Sequence, residues 1–413
     1  MIQLLSGNGI LKKDERGATL FLKSMTLEKN NYYMKRLLFV FVCGLQIAAL
    51  KAQSPYMQKS FPRESVHKLV SETSGGNISV SGESSGEARV EVYIHPNNSR
   101  DGSVSKEEIQ RRLDEQFDLT VAVEGGELKA IAKHKQHNVN WNRTLSISFR
   151  IYVPQTVSSS LRTSGGNIDL KGLSGTEDFR TSGGNLDVAQ LSGKITGRTS
   201  GGNVSISHSK DNIDLETSGG NMDAKDCEGT IRMVTSGGNV HLESIKGNVR
   251  ATTSGGQIEG GNINGELQAK TSGGNIDFES MSGSLAASTS GGNIHVTLTD
   301  PGKYVDLSNS GGDITLQLPQ GKGLDLNISG EQVHSSSMNN FKGDLDKHRI
   351  SGTLNGGGIP VKVDGSGKAA VSRCASNEPM VNTSGNPVTA AAVSMTLTDF
   401  RGVMRGYGMM SDK

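Results

Sequence analysis

Eight side chains able to ionise or donate a hydrogen bond recur at a fixed interval: Asp169, Asp187, Ser205, Asp223, His241, Glu259, Asp277 and His295. Carboxylates held one above another can share a proton or a cation, which is the starting point for general acid–base cleavage of a polysaccharide. Asp169 and Asp187 are the pair best suited to it. A lyase needs in addition an Arg or Lys set consistently beside the acids, and this column lacks one. It reads as an outward, solvated face, and no catalytic residue is assigned to it.

Calcium is the next chemistry to weigh. The run Gly165-Gly166-Asn167-Ile168-Asp169 begins like the calcium-binding nonapeptide Gly-Gly-x-Gly-x-Asp. In the eight copies the fourth place holds Ile, Leu, Val or Met, never Gly, and half of them lack the Asp. The carboxylates and turn carbonyls that repeated Ca²⁺ sites require are not supplied. His134 and His137 flank a polar loop, Lys133 to Asn142, without forming a ligand set. Trp141, among Asn138, Asn140 and Asn142, is the candidate for stacking on a sugar ring, against the plainer reading of a rim residue packed on its neighbours. No Ser-His-Asp set, phosphate-binding Gly loop or Cys–His pair stands out. The expectation is a protein with no catalytic residue, no metal and no cofactor.

The interval itself points to the architecture. Thr-Ser-Gly-Gly begins at Thr163, Thr181, Thr199, Thr217, Thr235, Thr253, Thr271 and Thr289, each 18 residues after the last. The sixth position reads Ile168, Leu186, Val204, Met222, Val240, Ile258, Ile276, Ile294, and the eighth is mostly apolar too. A second alternating stretch holds Ile195, Ile213, Ile231, Val249, Leu267 and Leu285 at the fifteenth position. Such alternation marks strands with one buried face. Parity then puts the recurring Thr on the inner face. The two adjacent glycines of the corner are expected to supply positive φ and close backbone approach. The Asn that follows them, at Asn167, Asn185, Asn203, Asn221, Asn239, Asn275 and Asn293 with Gln257 standing in once, is expected to bond backbone groups and form a ladder. The fold class is therefore all-β: a parallel β-helix, or β-solenoid, of 18-residue coils, with a small N-terminal cap containing one short helix.

Composition agrees. Hydrophobic residues make up 33% and aromatics 4%, with 54 Gly among 413 residues, which is thin for one thick core and suits a narrow stack. Lys plus Arg (43) and Asp plus Glu (42) leave a net charge of +1, without the basic footprint of a nucleic-acid binder. Met34-Lys35-Arg36, the apolar run Leu37 to Leu50 and Lys51-Ala52-Gln53 form a secretory signal peptide, too short for a membrane span. The mature chain is expected to begin near Gln53, exported to the periplasm, cell surface or medium, with no transmembrane span. Cys43 lies inside the apolar run without the small residues of a lipoprotein signal, and Cys227 and Cys374 make no disulfide framework.

These signals divide the chain into six segments. Residues 1–33 read as a non-native upstream extension, with translation expected to start at Met34, and 34–52 as the signal peptide. Residues 53–162 form the N-terminal cap with a first copy of the unit at Thr73-Ser74-Gly75-Gly76-Asn77-Ile78 and an insertion. Within it, Ser105 and Glu108 make a capping box for a helix reaching Phe117, and strands are expected at Ala88–Ile94, 119–123, 128–132 and 145–153. Residues 163–308 carry the eight coils, 309–367 irregular C-terminal coils, and 368–413 a non-repeat tail for which disorder is the expectation.

The strand ending Ile151-Tyr152-Val153-Pro154, the Thr-Ser-Gly-Gly-Asn-Ile units and the late Leu316-Gln317-Leu318-Pro319 resemble the bacterial "putative adhesin" family over about residues 62–367. That family is a domain of unknown function, similar to the head domain of autotransporter-like adhesins. The resemblance implies an exported, non-enzymatic adhesin or envelope binding protein that meets an unknown surface ligand, glycan or protein, through many weak contacts. The alternative is a carbohydrate-active β-helix enzyme, a polysaccharide lyase or hydrolase.

Overall fold

The computed structural model describes residues 54–97, 104–135, 144–336 and 338–373, together with the backbone of two short strands, Leu11–Lys13 and Thr19–Phe21. Contacts divide the chain into two units, Met1–Tyr56 and Met57–Lys413. In the first, Leu11–Lys13 and Thr19–Phe21 pair antiparallel. The signal-peptide segment, Cys43, Cys374 and the loop holding His137 and Trp141 lie outside the described residues.

In the second unit the described residues form one α-helix, one 3₁₀ turn and 26 strands, all of them in a single hydrogen-bonded sheet. Along the repeats the pairing is parallel. Ile168 pairs with Leu186, Leu186 with Val204, Val204 with Met222, and so on through Val240, Ile258 and Ile276 to Ile294, each step advancing 18 residues. This is the register that one apolar residue per step demands, since a slip of one residue would turn every buried side chain outward. The column extends in both directions. Ile78 pairs with Ile168 and Phe149 with Ile78 at the N-terminal end. At the other end Ile294 pairs with Ile314, after an interval of 20 residues, and Ile314 with Ala369.

That last pairing corrects the boundary expected at 367. Lys368–Arg373 is a strand, and its Ala369 and Val371 are buried beside Ile314 and Leu316. Lys368 breaks the residue pattern but not the stacking, because the corner uses its backbone: Lys368 N–H donates to Asp313 Oδ1 at 2.9 Å. A residue of any type except Pro could supply that donor.

The inner face holds the apolar column and the fifteenth and seventeenth positions. Ile195, Ile213, Ile231, Val249, Leu267 and Leu285 are all buried. Each contributes about 1.5–3 kcal/mol before chain entropy is subtracted. Volume is matched across steps: Phe179 is fully buried over Gly197, where an added Cβ would lie 2.3 Å from the Phe179 ring. The repeating Thr is buried as well, from Thr163 at 7% exposure to Thr217 at 2%.

The strands before Thr163 are joined by mixed pairings. Ala88–Pro96 runs antiparallel to Leu145–Pro154, and Phe117–Glu124 to Glu127–His134. The latter hairpin turns at Gly125 and Gly126, with φ of 57° and 82°, the geometry of a type I′ turn. The helix Lys106–Gln116 is capped by Ser105, whose Oγ accepts from Glu108 N–H at 3.3 Å, and it buries Leu113. Toward the C-terminus Leu324–Ser329 pairs antiparallel with Arg349–Leu354 but parallel with Ile359–Gly365, so the regular step is lost there. No helix among the described residues is long and apolar enough to cross a membrane.

Candidate binding faces of the stack

The Thr-Ser-Gly-Gly-Asn corner is a closed hydrogen-bond unit. Thr181 Oγ1 donates to Gly166 O of the preceding repeat at 2.8 Å and accepts from Gly184 N–H of its own at 3.2 Å. Asn185 N–H donates to Asn167 Oδ1 at 2.9 Å. Asn203, Asn221 and Asn239 repeat the same bond at 2.9 Å, Gln257 N–H takes Asn239 Oδ1 at 3.0 Å, and Asn293 N–H takes Asn275 Oδ1 at 2.8 Å. Polar side chains used this way are committed to the backbone.

Positive φ is found elsewhere than at the corner glycines. It falls at Gln190, His208, Asp226, Ser244, Asn262 and Ser280, one per repeat, and at Gly193, Asp211, Gly229, Gly247, Gly265 and Gly283. The Gly-Gly pair has a different job. The second glycine lies against the repeat below: a Cβ on Gly238 would sit 2.0 Å from Gly220 O, whereas one on Gly237 would find nothing nearer than 3.6 Å.

The acidic column faces outward. Asp169 and Asp187 are paired in register, and burial first, then the Asp187 charge, raises the Asp169 carboxyl above the ordinary carboxylate range. Farther along, a hollow of about 410 Å³ surrounds Gly261, bordered by Glu243, Glu259, Asp277 and Glu279, with His241 Nδ1 3.8 Å from Glu259 Oε1. Among the described residues no group of three or more His, Cys, Asp or Glu side chains is arranged to hold a metal ion. His134 packs on Phe117 with ring centroids 4.1 Å apart, and burial lowers its pKa. Cys227 is a buried thiol, pushed up by that burial.

A second outward face carries residues that the acid-centred sequence reading passed over. Arg162, Arg180 and Arg198 stand at one register position in successive repeats. Each precedes a buried Thr, and the exposed Ser164, Ser182 and Ser200 follow it, so two polar columns border a groove of about 530 Å³. Glu72 and Glu216 occupy the same register position at its two ends. Asp178 serves both Arg162, at 2.8 Å, and Arg180, at 3.2 Å. Arg198 meets Glu216 and, at 3.4 Å, Asp214. The spacing of 18 between the arginines is plain in the sequence, and asking which polar types recur in any column would have found them.

The family model described as Toastrack DUF4097 matches residues 204–367. It coincides in part with the segment that resembles a family of adhesin type and unknown function. A solved structure from Clostridium sporogenes, described as that of "a putative cell adhesion protein", is 13% identical with a TM-score of 0.17, covering 77% of this chain and 97% of its own. No curated protein matches the chain.

Proposed function

We propose that the protein is an exported β-solenoid of 18-residue coils that works as a non-enzymatic adhesin or envelope binding protein. On this reading the cap precedes Thr163, the eight coils follow it, and the C-terminal coils run to Arg373. The observation that carries the proposal is the in-register repetition of exposed side chains. Each step of roughly 4.8 Å presents an equivalent outward residue, and many weak polar contacts added along one rigid ligand give avidity without any strong single site. The Toastrack match, to a domain without an assigned chemistry, is compatible with it. The ladder asparagines hold the corner through their side-chain oxygens, and Trp141 remains a proposed sugar contact at the cap.

Envelope fractions and immobilised glycans passed over the purified protein test this reading. Retention of one of them without release of cleaved product, and with chelator making no difference, is the expected result. Turnover of a polyuronate that is lost in Asp169→Ala or Asp187→Ala would replace it with the lyase alternative. Export is tested separately: the protein recovered from the envelope or medium should begin near Gln53.

A further inference from the structure

Three guanidiniums stacked in register are a costly arrangement. Like charges directly opposite one another on neighbouring strands destabilise a sheet, and the fold does not need them. The same register position holds Val234, Thr252, Lys270 and Ser288 in later repeats. Among the described residues Arg162 and Arg180 share one acid, Asp178. These side chains remain 39–51% exposed, so their internal ion pairs are exchangeable with carboxylates from outside.

Resting on the reading of this protein as a surface binder, we propose that the Arg162–Arg180–Arg198 groove seats an acidic linear polysaccharide of the polyuronate type. The chain lies along the stack axis, its carboxylates on the arginines and its hydroxyls on Ser164, Ser182 and Ser200. The three arginines span roughly 10 Å, two strand spacings, a repeat that an extended chain of sugar rings can follow. Asp178 and Asp214 already display the contact, a carboxylate on each guanidinium. A fork of N–H donors fits a carboxylate better than a point charge would.

The groove fits other polyanions less well. An extended peptide recognised by strand addition needs an unpaired strand edge, and the strands flooring the groove are paired on both sides. Single-stranded nucleic acid is bound through aromatic stacking platforms, and no aromatic residue among the described residues lines the groove.

The experiment is calorimetric titration of the full chain with polygalacturonate oligomers, with poly-glutamate as a second probe. Arg180→Gln should weaken polygalacturonate binding about tenfold, and the triple variant R162Q/R180Q/R198Q should abolish it. Asp178→Asn, which releases two arginines from their internal partner, should tighten binding. Arg250→Gln, outside the groove, should leave it unchanged. Circular dichroism and melting establish that each variant is folded.

Polygalacturonate bound equally well by the folded triple variant would overturn the groove assignment while leaving surface binding intact. So would failure to bind polygalacturonate by a chain that still retains an envelope fraction. Poly-glutamate binding of equal strength and equal sensitivity to Arg180→Gln would make the occupant an acidic peptide and overturn the glycan. A chain that binds neither these probes nor any envelope fraction would take the broader reading down as well.

Discussion

The hydroxyl of Ser159 donates to Oε2 of Glu177 across one step of the stack, with both side chains buried and Oε1 of Glu177 left without a hydrogen-bond partner among the described residues. Their neighbours in the column, Leu69 before and Ile195 after, carry no charge. A carboxyl in such a place resists ionisation. Burial pushes Glu177 up to about 7, against a smaller downward pull from Ser159.

Stability should therefore fall as pH rises across that group. Between the ordinary glutamate value of 4.5 and about 7 the unfolded chain loses the proton while the folded one keeps it. The folded state binds more protons in that window, so ΔG of unfolding declines with pH, by about 3 kcal/mol in all. Glu177→Gln keeps a neutral partner for Ser159 and should remove this slope. Denaturant melts at a series of pH values check it. The two proteins should be close below pH 4.5, with the variant the more stable above 7, and a constant gap would refute the assignment.

The corner glycines should respond unequally to the same change. Gly238→Ala brings a methyl onto Gly220 O and should cost about 2–3 kcal/mol. Gly237→Ala makes only ordinary van der Waals contact, at 3.6 Å from Gly219 O, and should stay within about 0.5 kcal/mol. Thermal unfolding of the two single variants distinguishes them, and equal losses would mean that both glycines are there for backbone flexibility.

Asn221→Ala removes the acceptor for Asn239 N–H and should cost about 1 kcal/mol. Asn221→Asp keeps an acceptor of the same reach, as Asp313 does for Lys368, and should lose less. If alanine and aspartate lower the melting temperature alike, the asparagine column owes its recurrence to something other than this bond.

Facing along the strands is open to the same kind of test. Ile231 is buried and Asp223 exposed in a single strand, Met222–Val234. Ile231→Asp should cost several kcal/mol by burying an unpaired charge, while Asp223→Ser should change stability by less than about 0.5 kcal/mol. Comparable melting losses would contradict the assigned parity.

The period and the parity were legible because stacking in register asks for one kind of residue at one place per step. That demand writes Thr163 through Thr289, and Ile168 through Ile294, into the chain as a visible repeat. The capping box at Ser105 and the alternation of Leu145, Ile147, Phe149, Ile151 and Val153 are local patterns, readable without knowing what they touch. The end of the stacking was not legible at Lys368, because its place depends on a backbone donor that residue type does not reveal.

What the sequence by itself determined is thus the strand period and the alternation of inner and outer faces, both properties of neighbours along the chain. The tertiary structure alone decided which of two adjacent glycines lies against the repeat below, and that Glu177 is shut inside with Ser159. It also made three arginines 18 residues apart into the border of one groove. The physical reason is common to all three. Each depends on distances between residues of different repeats, and a backbone contact, a buried carboxyl or a groove exists only once those repeats are brought together at strand spacing.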